Sequence, residues 1–171
     1  MFEDKVHTAD NGYGVQMVVS GGQTGVDLAA WDVAMAQGIS IGGWVPAGRT
    51  NEAGRIPARY TGILEAPSCL PAERTFLNVK LADATLVVHP VGIASGGTTF
   101  TFNMAEALKR PRLRLDLLDL STLAARQALD AWLRRVRPAK LNVAGPRASE
   151  NGEIYQKTVD LLMSTPLGRA S

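Results

Sequence analysis

Five short runs of this chain are rich in apolar residues, 15–19, 39–41, 85–89, 113–117 and 141–144, and those at 15–19, 85–89 and 141–144 lack strict alternation. A strand with one wet face alternates apolar and polar residues, whereas a run without alternation is buried on both faces. Helix-period stretches fill the gaps. Val26, Ala29, Ala30, Val33 and Ala36 form one stripe, stopped by Gly38. Phe76, Val79 and Lys80 belong to a shorter helix ending before Asp83, and Met104, Ala105 and Leu108 to another halted by Pro111. Ser121 is the candidate N-cap of a helix over 122–136, with Leu123, Ala124, Leu129, Trp132 and Leu133 on its apolar face. A last helix covers about 154–163, with Tyr155, Val159 and Leu162 at helical spacing. Strand and helix alternate almost throughout. The pattern predicts a single α/β domain over 1–171, a doubly wound, mainly parallel sheet with helices on both faces. Its core spans 15–163, between loose flanks at 1–11 and 166–171.

A chain of 171 residues is long enough for one sizeable core. No run is long and apolar enough to span a bilayer, and residues 1–13 lack a signal-peptide pattern, so a cytoplasmic protein with no membrane partner is expected. Cys69 is the sole cysteine, which excludes an intrachain disulfide and a thiolate metal cluster. A net charge of +2 gives no reason to expect nucleic acid. Arg134, Arg135 and Arg137 end a helix, where cations complement the dipole. Arg49, Arg55 and Arg59 have no such reason: they lie in a Gly/Pro-rich stretch, 42–71. Connections longer than about 12–15 residues are usually functional or disordered. Trp44 and Tyr60 favour an ordered loop folded over a site.

Two glycine-rich turns each follow an apolar run and precede a helix. They are Ser20-Gly21-Gly22-Gln23-Thr24-Gly25-Val26-Asp27 and Ser95-Gly96-Gly97-Thr98-Thr99. Such a junction aims unpaired N–H groups at one spot with a helix dipole behind them, which suits an anion. The third such turn is 142–147, containing Gly145. Neither glycine-rich turn has the lysine of G-x-x-x-x-G-K-[ST]. Gly22-x-x-Gly25 is half of G-x-G-x-x-G, and Gly42-Gly43-Trp44 stands where a ribose-binding acid would close the second strand, so ordinary NAD binding is not expected. Asp27 either complements its helix dipole or orients a ligand group. His89 ends a strand at the ligand edge, as an acid/base or as a structural histidine. His7 is uninvolved. No Ser/His/Asp set and no metal-ligand spacing stands out, so no protein-held metal is expected. Glu73, Arg74 and Asn78, on the helix after the long stretch, either face the site or form an exposed helix face, and the exposed face is the preferred reading.

Taken together, Ser20–Asp27, Gly42-Gly-Trp44, Gly48-Arg49, Ile56-Pro-Ala-Arg-Tyr60, Arg74-Thr75, Asn78-Val79, Ser95-Gly-Gly-Thr98 and Leu141-Asn-Val-Ala-Gly-Pro-Arg147 resemble the molybdenum carrier (molybdenum-cofactor carrier) protein family. The resemblance covers roughly 15–162. It implies a Rossmann-like fold, a homo-oligomer, and binding of molybdenum cofactor, a pterin bearing a phosphate and a dithiolene-bound metal. The apolar helix face around Trp132 is the candidate oligomer contact. The chain is also similar to the cytokinin-activating phosphoribohydrolases, once described as lysine decarboxylases. Their Pro-Gly-Gly-x-Gly-Thr-x-x-Glu motif meets Ser95-Gly96-Gly97-Thr98-Thr99-Phe100-Thr101 here, without the proline or third glycine and with Thr101 the nearest match to the glutamate.

The expectation is a non-catalytic binding protein for a small phosphorylated heterocycle, molybdenum cofactor foremost. Ser20, Gly21, Gly22, Gln23, Thr24, Gly25 and Asp27 hold its phosphate from one side, and Ser95, Gly96, Gly97, Thr98 and Thr99 from the other, beside Gly145. Arg49 and Arg59 clamp the anion. Trp44 or Tyr60 stacks on the ring, unless burial under the loop is their role. The alternatives are a nucleotide or nucleoside-phosphate hydrolase, with Asp27 or His89 as acid/base, and a nucleotide-sensing domain.

Overall fold

The computed structural model describes residues 12–89, 96–117 and 122–168. In chain order the elements are β1 (Met17–Val19), α1 (Val26–Ala36), β2 (Ser40–Val45), β3 (Thr50–Asn51), β4 (Gly54–Arg55), β5 (Ile63–Glu65) and α2 (Pro71–Leu81). They continue with β6 (Ala84–His89), α3 (Gly96–Ala107), β7 (Arg112–Asp116), α4 (Thr122–Val136), β8 (Lys140–Ala144) and α5 (Ile154–Met163). His7, Ser95 and the proposed cap Ser121 lie outside the described residues.

Six strands form one sheet in the order β5-β2-β1-β8-β6-β7. Every neighbouring pair in it is parallel. The continuous apolar runs have their cause here: β6 is buried along its whole length, and Leu141, Asn142 and Val143 of β8 are buried in succession. α5 packs on α1 and α4, while α2 packs on α3, so the sheet is covered on both faces. This is the doubly wound, Rossmann-like α/β architecture.

The order of strands reverses at the centre. From β1 the chain moves outward through β2 to β5, then crosses back to β6 and moves outward again to β7. β8 fills the place between β1 and β6, pairing with both. In such sheets ligands bind beyond the strand C-termini at the reversal.

Three stretches depart from expectation. The segment 42–71 is ordered, but β2 runs on to Val45, β3 and β4 pair as an antiparallel hairpin, and β5 joins the sheet beside β2. β5 has three residues and only Ile63 is buried, so no apolar run announces it. The segment 166–168 is docked rather than loose: Leu167 is fully buried, its N–H donates to Gln37 Oε1 at 3.0 Å, and its carbonyl accepts from Val15 N at 3.0 Å. Trp132 faces the core at 4% exposure, so it offers no surface to a second copy. No described helix is long and apolar enough to cross a membrane.

Trp31 of α1 anchors the side of the core nearest the first glycine-rich turn. It is fully buried, its Nε1–H donates to the Gly42 carbonyl at 3.2 Å, and its ring lies 5.3 Å from that of Tyr60. Trp31→Ala should therefore lower the urea unfolding free energy by about 3–5 kcal/mol, the range for truncating a large buried aromatic.

Candidate functional site

A cleft of about 490 Å³ opens at the reversal point, beyond the C-terminal ends of β1, β6 and β8. The first glycine-rich turn contributes Gly21, Gln23 and Asp27. The start of α3 contributes Gly96, Gly97 and Thr98, and the segment after β8 contributes Gly145 and Arg147. α2 closes one side with Arg74, Thr75 and Asn78. The three turns expected at one sheet edge thus do meet, and the parallel topology is the reason.

The two glycine-rich turns differ in kind. In the first, the backbone donors are largely spent inside the protein. Ser20 N donates to Gly42 O at 3.1 Å, Gln23 N to Asp27 Oδ2 at 3.2 Å, Thr24 N to Gln23 Oε1 at 3.0 Å and Val26 N to Pro146 O at 3.2 Å. The Ser20 hydroxyl is buried and donates to Val143 O at 3.1 Å. Its glycines answer to packing: a Cβ on Gly21 would stand 2.3 Å from an Arg74 guanidinium nitrogen, and one on Gly25 would stand 2.4 Å from Pro146 O. Gly22 is pressed by Ile56 and Val45 in the same way, and Gly145 by Val88 and Val26. Gly96 and Gly97, by contrast, face open space: among the described residues, a Cβ on either would meet no atom within 4 Å. They begin α3, whose first-turn N–H groups have no partner within the helix.

Arg74, with the exposed Arg147, supplies the cations of this cleft, in place of the loop arginines. Its guanidinium lies on Gly21, donates to the Gly21 carbonyl at 2.7 Å and reaches Asp27 Oδ2 at 3.5 Å. Its side chain is only 16% exposed, and its Nε–H has no partner among the described residues. Asn78, one turn along α2, is buried and grips the Trp44 backbone in both directions, accepting from its N–H at 2.6 Å and donating to its carbonyl at 2.9 Å. The α2 face of Arg74 and Asn78 is therefore inward, not the exposed face that the sequence suggests. A signal was present at Gly21, since a second glycine beside Gly22 is needed when a bulky group presses on the turn. Glu73 instead accepts from Ser68 N at 3.0 Å, outside the cleft lining, and holds the entry to α2.

The loop arginines take other partners. Arg59 pairs with Asp32 of α1 at 3.2 Å and lies over the Tyr60 ring. Tyr60 is 1% exposed and donates to Asp32 at 2.8 Å, which removes it as a stacking platform. Tyr155 donates to the same carboxylate at 2.5 Å; burial, with Asp32 beside it, pushes its hydroxyl up to about 12. Arg49 donates to the Tyr60 carbonyl at 3.2 Å. Neither arginine lines the cleft, nor does Trp44, which is half-buried. His89 is buried at 2% exposure and Thr99 is exposed, both away from the lining.

The long segment works through its hairpin instead. Glu52, between β3 and β4, accepts from the Thr24 hydroxyl and from Ser149 N at 3.1 Å, and Glu52 N donates to Gln23 Oε1 at 3.0 Å. Asn51 Nδ2 donates to Gly22 O at 2.9 Å. The Ser149 and Thr24 hydroxyls hold the Glu52 carboxyl below its usual range. Thr24 is thereby a fastener between loops.

Asp27 is 5% exposed on the cleft wall. Burial raises its carboxyl pKa, and the Arg74 guanidinium and the Gln23 N–H offset that only in part. Among the described residues, no group of three or more His, Cys, Asp and Glu side chains is placed to hold a metal ion. A raised pKa means that folding favours the protonated form. Its stabilising contribution is complete below the unfolded pKa and is lost as pH rises through the folded one. The stability of the wild type minus that of Asp27→Asn should therefore fall as pH rises above the ordinary carboxylate value of about 4, measured by urea unfolding.

The sequence matches the model of the circularly permutated YpsA SLOG family over residues 18–165. No curated protein matches the chain. The crystal structure of a putative molybdenum carrier protein from Syntrophus aciditrophicus SB is 42% identical to it, over 87% of this chain and 93% of that one, with a TM-score of 0.83. By the family match and by this degree of identity, the chain belongs to the circularly permutated YpsA SLOG family, and with its relative to the molybdenum carrier protein family that its motifs resemble.

Proposed function

We propose that this chain is a binding and carrier protein for a small phosphorylated heterocycle, with molybdenum cofactor as its cargo, held in the cleft between α2 and the start of α3. The carrying observation is the pair Gly96–Gly97, open to space at a helix N-terminus on the same cleft as the half-hidden Arg74 guanidinium. Helix N–H groups and a guanidinium are the two groups best suited to a phosphate. The relative's description as a molybdenum carrier supports the choice of cargo. The cargo brings its own dithiolene-bound metal, so the cleft needs no metal ligands of its own.

Gly97→Ala separates binding from folding. The new methyl meets no protein atom and removes a flexible glycine from a helix, so the melting temperature should hold or rise. Affinity for a pterin monophosphate, measured by calorimetry, should drop at least about tenfold, because the methyl enters the space beside the helix N–H groups. Equal affinity would refute the phosphate position. Mass spectrometry of the small molecules that copurify with the protein identifies the cargo.

A second reading, a nucleoside-phosphate hydrolase, is favoured by one observation: Asp27 lies on the cleft wall with a raised pKa, as a general acid requires. Counted from Ser95 at the motif's proline, the phosphoribohydrolase glutamate falls at Asn103, two residues past Thr101, and neither residue carries a carboxylate. Incubation with nucleoside monophosphates decides between them. Release of free base, abolished in Asp27→Asn, would replace the carrier reading, whereas the carrier releases none.

A further inference from the structure

The cleft has a polar floor and an apolar lip. Asp27 and Arg74 lie at its inner end, at 6% and 16% side-chain exposure. Phe100, Pro71 and Ala72 line it as well, and all three are exposed. Phe100 is 37% exposed, which is costly in water for a large aromatic without a partner. Its position on α3 gives that exposure a direction. Residues three and four apart share one helix face, and a helical side chain leans over the turn before its own Cα. Phe100 follows Gly97 by three and Gly96 by four, so it shares a face of α3 with the two glycines and lines the same cleft, with no atom of it within 4 Å of a Cβ built on either. Space is left on that face beside the start of the helix.

We propose that Phe100, with Pro71 and Ala72, is the seat of the ligand's flat heterocycle, which stacks on the Phe100 ring while its phosphate reaches Gly96–Gly97 and Arg74. The inference rests on the phosphorylated-heterocycle reading above and specifies it. It takes the ring-binding role away from Trp44 and Tyr60, which the fold uses elsewhere. It also gives the cleft a selectivity: a ligand with a ring and a phosphate uses both ends, and a bare phosphate uses one.

The test compares the wild type with Phe100→Ala and Phe100→Tyr, titrated with a pterin monophosphate and, separately, with inorganic phosphate. Pterin emission is followed as a report of stacking. Base–aromatic stacking corresponds to roughly a 5- to 150-fold effect on affinity. Phe100→Ala is therefore expected to weaken the pterin monophosphate by that factor, to reduce its quenching, and to leave phosphate affinity within about twofold. Phe100→Tyr should restore both pterin signals. Because the side chain is exposed, thermal melts of both variants should match the wild type. If the wild type binds the pterin monophosphate and Phe100→Ala binds it equally well, the ring seat is overturned and the carrier reading stands. If the wild type binds neither ligand, the carrier reading itself falls and the ring seat falls with it.

Discussion

The contact of Arg74 with Gly21 is the constraint on which the cleft depends. A guanidinium can lie on the first glycine-rich turn only because residue 21 has no side chain; a Cβ there would overlap it. In that place it holds the Gly21 carbonyl, stands beside Asp27 and closes the inner end of the cleft. It also ties α2, which leads into the second half of the sheet, to the turn after β1. The pair is not a source of stability in the simple sense. Burial costs the Asp27 carboxylate more than Arg74 returns, as its raised pKa records. Folding therefore maintains an uncomfortable carboxyl on the wall of the cleft, a condition more often met at sites of function than in plain cores.

The frame of the fold was legible because its signals are long or doubled. β6 and β8 announced themselves as runs rich in apolar residues, and α4 and α5 cover the ranges their periodicity marked, although Leu123 and Tyr155, counted in those patterns, are exposed. The meeting of three turns followed from parallel strands alone. β5 was hidden by its length and by exposure of Leu64 and Glu65, which leaves Ile63 as its only buried position. The docking of Leu167 was hidden because it depends on Gln37, far away in sequence.

The site was legible as a place and less so in its members. Arginines in a Gly/Pro-rich stretch suggested a clamp, yet Arg59 answers to Asp32 and Arg49 to a carbonyl of its own loop. An arginine on a regular helix looked ordinary, although α2 turns it inward. Charge on a loop draws notice in a sequence because nothing regular explains it. Charge on a helix is easily explained away, and only the tertiary packing of α2 on the sheet separates Arg74 from a solvated residue. Glycine was ambiguous for a related reason. Gly21 and Gly97 look alike in the sequence, but one makes room for the protein and the other leaves space for something else.

The position of β8 bears on how the molecule comes into being. β1 pairs with β2 and β8, and β6 with β7 and β8, so the two halves of the sheet have no strand pairing with each other except through β8. A ribosome delivers β8 after every other strand of the sheet. Until it emerges, the strand that joins the two halves and the turn bearing Gly145 and Arg147 are both missing. The cleft is consequently a late product of synthesis.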